Sequence, residues 1–166
     1  VSKSYALPGF KVSWMFFWGE VHFLERVRPN IEIICDTYLS VSTPSQLLLK
    51  KILKKENKRQ KKIKNLIKKN YNIIKSELSD MQILSVNQID YGWFLPIKIH
   101  SGFSEELLLS NLEKELGVKV YPGKLFHFNQ KKYFVLSLLT KTKILKEALS
   151  LMKQYFQDYE VRIPFL

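Results

Sequence analysis

The chain has 166 residues, enough for one compact domain with a sizeable core, and 46% of them are apolar. Its 27 Lys and Arg against 15 Asp and Glu leave a formal charge of +12, which suits an acidic partner but also follows from a sequence simply rich in Lys, Ile and Asn. The single cysteine, Cys35, excludes an intramolecular disulfide and fits a cytosolic setting, while no apolar run reaches the ~18 residues of a membrane span and no basic-then-apolar leader opens the chain.

The first stretch, Ser2-Lys3-Ser4-Tyr5-Ala6-Leu7-Pro8-Gly9-Phe10-Lys11, carries two basic residues eight positions apart, and the sharp turn at Pro8-Gly9 is expected to bring the two basic groups together. Residues Val12 to Trp18 are apolar and β-prone, so a strand is expected there, closed by Gly19. Glu20 to Val27 suits a short helix or turn, broken by Pro29-Asn30. The apolar run Ile31, Ile33, Ile34 and Cys35 predicts a buried, inert thiol.

Ser42 or Thr43 is placed to cap a helix with Pro44 in its first turn, running on from Leu47 to Lys55. The pattern slackens over Lys55-Glu56-Asn57-Lys58, where a kink or break is expected. From Lys61 a helical stripe follows in Ile63, Leu66, Ile67, Tyr71, Ile74 and Leu78, with Lys62, Lys64, Lys68 and Lys69 pointing elsewhere. That basic run is the best case for nucleic acid, and a solvated helix face explains it as well.

Met81–Val86 and Tyr91–Ile99 read as strands, with Gly92 allowing close backbone approach. Ser104-Glu105-Glu106 opens a helix with acids at its positive end, and Gly117 closes it. Gly117-Val118-Lys119-Val120-Tyr121-Pro122-Gly123 leads to a strong strand over Tyr133–Leu139. Thr140–Asp158 is the last helix, and Arg162–Leu166 a tail. The fold class this predicts is α+β, with helices on a mainly antiparallel sheet.

The segment from Ser2 to Trp14 resembles the lysine segment of fold-type I pyridoxal-phosphate enzymes, the class I/II aminotransferases. There the pattern reads Ser-Lys-Ser-Tyr-(Gly/Ala)-Leu-Pro-Gly-Leu-Arg-(Ile/Val)-Gly-Trp. The stretches 36–46 and 117–139 follow the same family more loosely and in the same order. The resemblance implies a pyridoxal 5'-phosphate cofactor held as a Schiff base by Lys3, the catalytic lysine, with Lys11 on its phosphate. The residue types suit that chemistry. Only lysine offers a side-chain primary amine to an aldehyde, and such an amine attacks only when unprotonated, a form that burial or a neighbouring cation favours. Lys11 stands where the family has arginine, so a bidentate fork becomes a point charge. Ser13 replaces a small glycine or alanine.

The resemblance also implies a division of the chain. Residues 1–30 would be a remnant of the large cofactor-binding domain, and 31–166 the small C-terminal domain. Val135 falls where most of these enzymes carry the arginine that grips the substrate carboxylate, and valine cannot do so. Lys131 and Lys132 precede that strand. Pro122-Gly123-x-x-Phe126-x-Phe128 with Val135-Leu136-Ser137-Leu138-Leu139 resembles a branch that generally lacks the arginine. The family's acidic partner for the pyridine nitrogen, its ring-stacking aromatic and its glycine-rich phosphate turn precede the lysine. Little catalysis is therefore expected of this chain without an upstream half.

The implied substrate is an amino acid with a 2-oxo acid, and the full-length protein is expected to be a cytoplasmic homodimer. No metal site is expected, since His22, His100 and His127 are scattered. No membrane partner is expected, and nucleic acid is not the favoured one. Two alternatives remain: an aminotransferase-like ligand-sensing or oligomerisation domain of a regulator, and a nucleic-acid-binding module using residues 50–69.

Overall fold

The structure is a computed structural model that describes residues 1–3, 5–38, 40–54, 58–100, 104–128 and 132–162, with the backbone alone for 159–162. The slackening over Lys55–Asn57 and the end of the tail, 163–166, lie outside the described residues. Two compact units are present, Val1–Ile63 and Lys64–Leu166.

In the first unit, helix α1 (Val21–Thr37) runs on through Pro29, where the sequence predicted a break. Proline's fixed φ is itself helical, so the helix can run through it at the cost of the bond to the carbonyl of residue i−4 and of a ring clash there. The Asn30 side chain adds a bond one turn back, donating to the Arg26 carbonyl at 3.3 Å. No residue of α1 is buried, and Cys35 is exposed. The expectation of a buried thiol is thus corrected: the run 31–35 is apolar, but nothing described in its own unit covers it. Helix α2 spans Thr43–Lys54 with Pro44 in its first turn, as expected. The Ser42 carbonyl accepts its first turn's bond from Gln46 N–H at 3.1 Å.

Residues 11–18 form no strand. A strand exists only as part of a ladder, and among the described residues no segment pairs with this one. Trp14, Met15, Phe16, Phe17 and Trp18 are all exposed, Trp18 at 85%.

Helix α3 (Lys58–Leu78) leads into the second unit. There, among the described residues, four antiparallel strands, β1 (Leu84–Val86), β2 (Phe94–Ile99), β3 (Tyr121–Pro122) and β4 (Tyr133–Ser137), lie in the order β1-β2-β4-β3. Helices α4 (Glu105–Leu116) and α5 (Thr142–Arg162) complete it. The α+β class is as expected. β1 and β2 are shorter than their apolar runs. Met81 N–H bonds back to the Leu78 carbonyl at 3.3 Å, so the segment after α3 is spent on a turn.

Strand β2 alternates strictly, with Leu95, Ile97 and Ile99 buried. In register with Leu136 and Phe134 of β4, these form the sheet face that receives the helices. Ile74 and Leu78 of α3, Leu108 and Leu112 of α4, and Leu145, Leu149, Met152 and Phe156 of α5 close the core over it. Each such side chain contributes about 1.5–3 kcal/mol by leaving water. Pro96 sits in β2 without breaking a ladder. Ile99 N–H bonds toward β4 and His100 N–H toward β1, so even-numbered nitrogens face β1, whose pairing ends at Val86 with Ile97.

Helix α4 starts at the Ser104 cap and ends at Gly117 in the left-handed region (φ 65°), both as the sequence predicted. Gly92 serves otherwise than expected: nothing lies within 4 Å of a Cβ built there, and its φ of 112° is what requires glycine.

Candidate functional site: the lysine loop

The loop around Lys3 is wound tightly by its own backbone. Tyr5 N–H donates to the Val1 carbonyl at 3.0 Å, Ala6 N–H to Lys3 at 3.2 Å and Leu7 N–H to Ser2 at 3.1 Å. These bonds place Lys3 in a turn with its side chain exposed, while Ala6 is buried in the left-handed region at φ 53°. Ser4 lies outside the described residues.

Pro8–Phe10 then forms one turn of 3-10 helix, and Lys11 N–H closes it on the Pro8 carbonyl at 3.4 Å. The Pro-Gly turn is where the sequence put it. The left-handed residue is Lys11 (φ 51°), while Gly9 does not have positive φ. Lys11 is exposed and Val12 buried. The two basic side chains thus stand at either end of a loop that turns twice, and both face solvent.

A hollow of 380 Å³ lies behind this loop, lined among others by Leu7, Pro8 and Phe10 of the loop, Pro44 and Leu48 of α2, and Arg59 of α3. Neither Lys3 nor Lys11 lines it. The Arg59 guanidinium donates to the Ala6 carbonyl at 3.4 Å, which ties the start of α3 to the strained residue of the loop. Sequence reading missed this contact because Arg59 sits inside a run of lysines and nothing local marks it.

Val135 belongs to the second unit. It is fully buried in β4, paired with Pro96 on one side and Tyr121 on the other. The adjoining residues of that unit form an aromatic cluster. Phe94 meets Tyr121 edge-on at 5.7 Å between centroids and Phe126 at 5.1 Å, and Phe128 stacks on Tyr133 at 4.4 Å. Of the two bases preceding β4, Lys132 is exposed and Lys131 lies outside the described residues. Gly123 makes this packing possible: a Cβ there would stand 2.6 Å from the Tyr133 carbonyl oxygen.

Among the described residues Asn70 is the buried polar one, and the sequence did not single it out. Its amide donates to the Leu138 and Thr140 carbonyls at 2.9 and 2.8 Å, and its Oδ1 accepts from Thr142 Oγ1 at 2.9 Å. An asparagine on the apolar face of a helical stripe was the available signal. The three histidines remain apart in role: His22 pairs with Glu25 at 3.7 Å, His100 bonds Ser85 at 2.9 Å, and His127 caps a 3-10 turn in the left-handed region. Among the described residues no cluster of His, Cys, Asp or Glu is placed to hold a metal, and no helix is long and apolar enough to cross a membrane.

No protein-family model matches the sequence, and no curated protein matches it either. Solved structures do match. An alanine aminotransferase from Pyrococcus furiosus superposes with a TM-score of 0.84 at 20% identity, over 95% of this chain and 40% of its own. An aminotransferase from Escherichia coli gives 0.82 at 15% identity, over 94% and 40%. An aspartate aminotransferase from Thermotoga maritima gives 0.75 at 19% identity, over 94% and 38%. The fold is therefore that of the C-terminal portion of pyridoxal-phosphate-dependent aminotransferases, and the chain spans about 40% of the length of the structures it matches.

Proposed function

We propose that this chain is the C-terminal part of a pyridoxal-phosphate-dependent aminotransferase, transferring an amino group between an amino acid and a 2-oxo acid once joined to its upstream half. Residues 1–30 belong to the large cofactor-binding domain in this reading, and 31–166 to the small domain. The protein is cytoplasmic and acts as a homodimer. The observation that carries the reading is the Ser2–Trp14 motif, held in a self-bonded loop with Lys3 and Lys11 exposed at its two ends, on a chain with this fold.

The donor set of the loop suits the cofactor: a primary amine for an aldehyde, and a cation for a phosphate. Pyridoxal 5'-phosphate, when bound, supplies an electron sink for the substrate α-carbon. Lys3 supplies the amine that holds it, then moves a proton to and from that carbon. Lys11 binds the phosphate as a point charge. Val135 leaves the substrate carboxylate without the usual arginine, so carboxylate recognition falls to other groups.

The reading is tested by adding pyridoxal phosphate to this chain together with its upstream half and recording the absorption of the bound cofactor. Lys3→Ala removes the band and the activity. Lys11→Ala keeps the band and weakens cofactor binding by about tenfold, the cost of one charge-assisted contact. An unchanged band and activity in Lys3→Ala would remove Lys3 from the role.

A further inference from the structure

We infer that the exposed face of α3 is a docking surface for the phosphate backbone of double-stranded nucleic acid. At 100° per residue, Lys58, Lys61, Lys62, Lys64, Lys68, Lys69 and Lys75 fall within about 160° of one continuous helix. Their sector is centred opposite the side that buries Asn70, Ile74 and Leu78. All seven are exposed. They are seven of the chain's 27 Lys and Arg, strung over about 25 Å of helix.

The one acidic residue of α3 is Glu77, half-buried and paired with Lys153 of α5 at 3.5 Å. Among the described residues, no ion pair joins Lys58, Lys62, Lys64, Lys68, Lys69 or Lys75 to a carboxylate. Like charges held this close repel one another, and a polyanion with regularly spaced charges relieves that repulsion while releasing its condensed counterions.

The composition of the face selects the occupant. Asn65 and Asn72 fill the gaps between the lysines, and no aromatic ring lies in the sector, so there is no platform on which unpaired bases stack. A helix lying on a membrane needs its apolar side for the acyl chains. The apolar side of α3 is already spent on the core, through Ile67, Tyr71, Ile74 and Leu78. What remains is charge and amide, the contact set of backbone binding without base reading.

The test uses the full chain and a labelled 20-base-pair duplex, with fluorescence anisotropy across a salt series. The expected result is binding whose logarithm falls linearly with log salt, at a slope of about −4 to −6 for several neutralised phosphates. The double variant Lys62→Glu/Lys69→Glu, folded by circular dichroism because both positions are solvent-facing, loses at least about tenfold in affinity at 50 mM salt and flattens the slope by about 2. Lys114→Glu/Lys119→Glu, with the same change in net charge on another part of the surface, retains the wild-type slope. Equal losses in both variants, no salt dependence, or no binding at 50 mM salt overturn the assignment. Equal or tighter binding to phosphatidylserine vesicles or to a single strand of the same length overturns it in favour of those partners.

Discussion

Asn70 joins α3 to the turn that starts α5 through three hydrogen bonds in a fully buried site. Replacing it with leucine strands two carbonyls, so Asn70→Leu is expected to cost about 2–4 kcal/mol, read as a lower urea midpoint with an unchanged slope. Gly123 and Gly117 separate two reasons for glycine. Gly123→Ala drives a methyl into the Tyr133 backbone, which cannot swing away, and should cost about 2 kcal/mol or more. Gly117→Ala meets open space and pays only for φ 65°, about 1–2 kcal/mol. A Gly123→Ala protein as stable as wild type would contradict the packing described around β4. At this scale the sequence was half legible. Gly117 followed a helix of obvious period, and so declared itself. The exposure of Cys35 and the reach of Arg59 to the Ala6 carbonyl depend on distant residues, and no neighbour in sequence announces either.

Helices with both a stripe and a stop were the most legible elements. Helix α4 has acids at its start, leucines on one side and glycine at its end, and it forms where expected. Its first turn also titrates. The Glu106 carboxylate is held below its ordinary range first by a backbone N–H, then by the Ser104 hydroxyl, against an opposing desolvation, with Lys124 adding a lesser attraction. Because its folded pKa is depressed, its contribution is present above the unfolded carboxylate range and is lost as pH falls through the folded value. Ser104→Ala should cost about 1 kcal/mol through the lost helix cap, and its deficit should narrow as the pH falls through the folded Glu106 carboxylate's range. A deficit independent of pH would show that Ser104 caps the helix without holding Glu106. The least legible elements were those whose state depends on a partner. Residues 12–18 have the composition of a strand and form none, because β-propensity is a fit to a ladder and no described segment offers them one. Pro29 is the converse: local rules predict a break, yet α1 continues at the cost of one backbone bond and a ring clash one turn back.

The two units differ in how much of their apolar surface they cover. Among the described residues, Lys64–Leu166 encloses a core shared by three helices and three of the strands, β1, β2 and β4, whereas Val1–Ile63 leaves Trp14 to Trp18, Phe23, Ile33 and Ile34 exposed. A polypeptide beginning at Lys58 should accordingly unfold cooperatively, with near-ultraviolet dichroism from the Phe94, Tyr121 and Phe126 cluster intact; a broad transition without that signal would contradict the self-sufficiency of the second unit. The exposed aromatics of the first unit mark a surface meant for covering, in keeping with a chain that spans 40% of the structures it resembles. The role proposed for the loop is decided most directly by trapping. The chain is combined with its upstream half and pyridoxal phosphate, reduced with borohydride, digested and mapped by mass spectrometry. The account predicts the reduced cofactor's mass on Lys3 at close to one per chain, with the α3 lysines unlabelled. Label spread over the surface lysines, or placed on a residue other than Lys3, would contradict it.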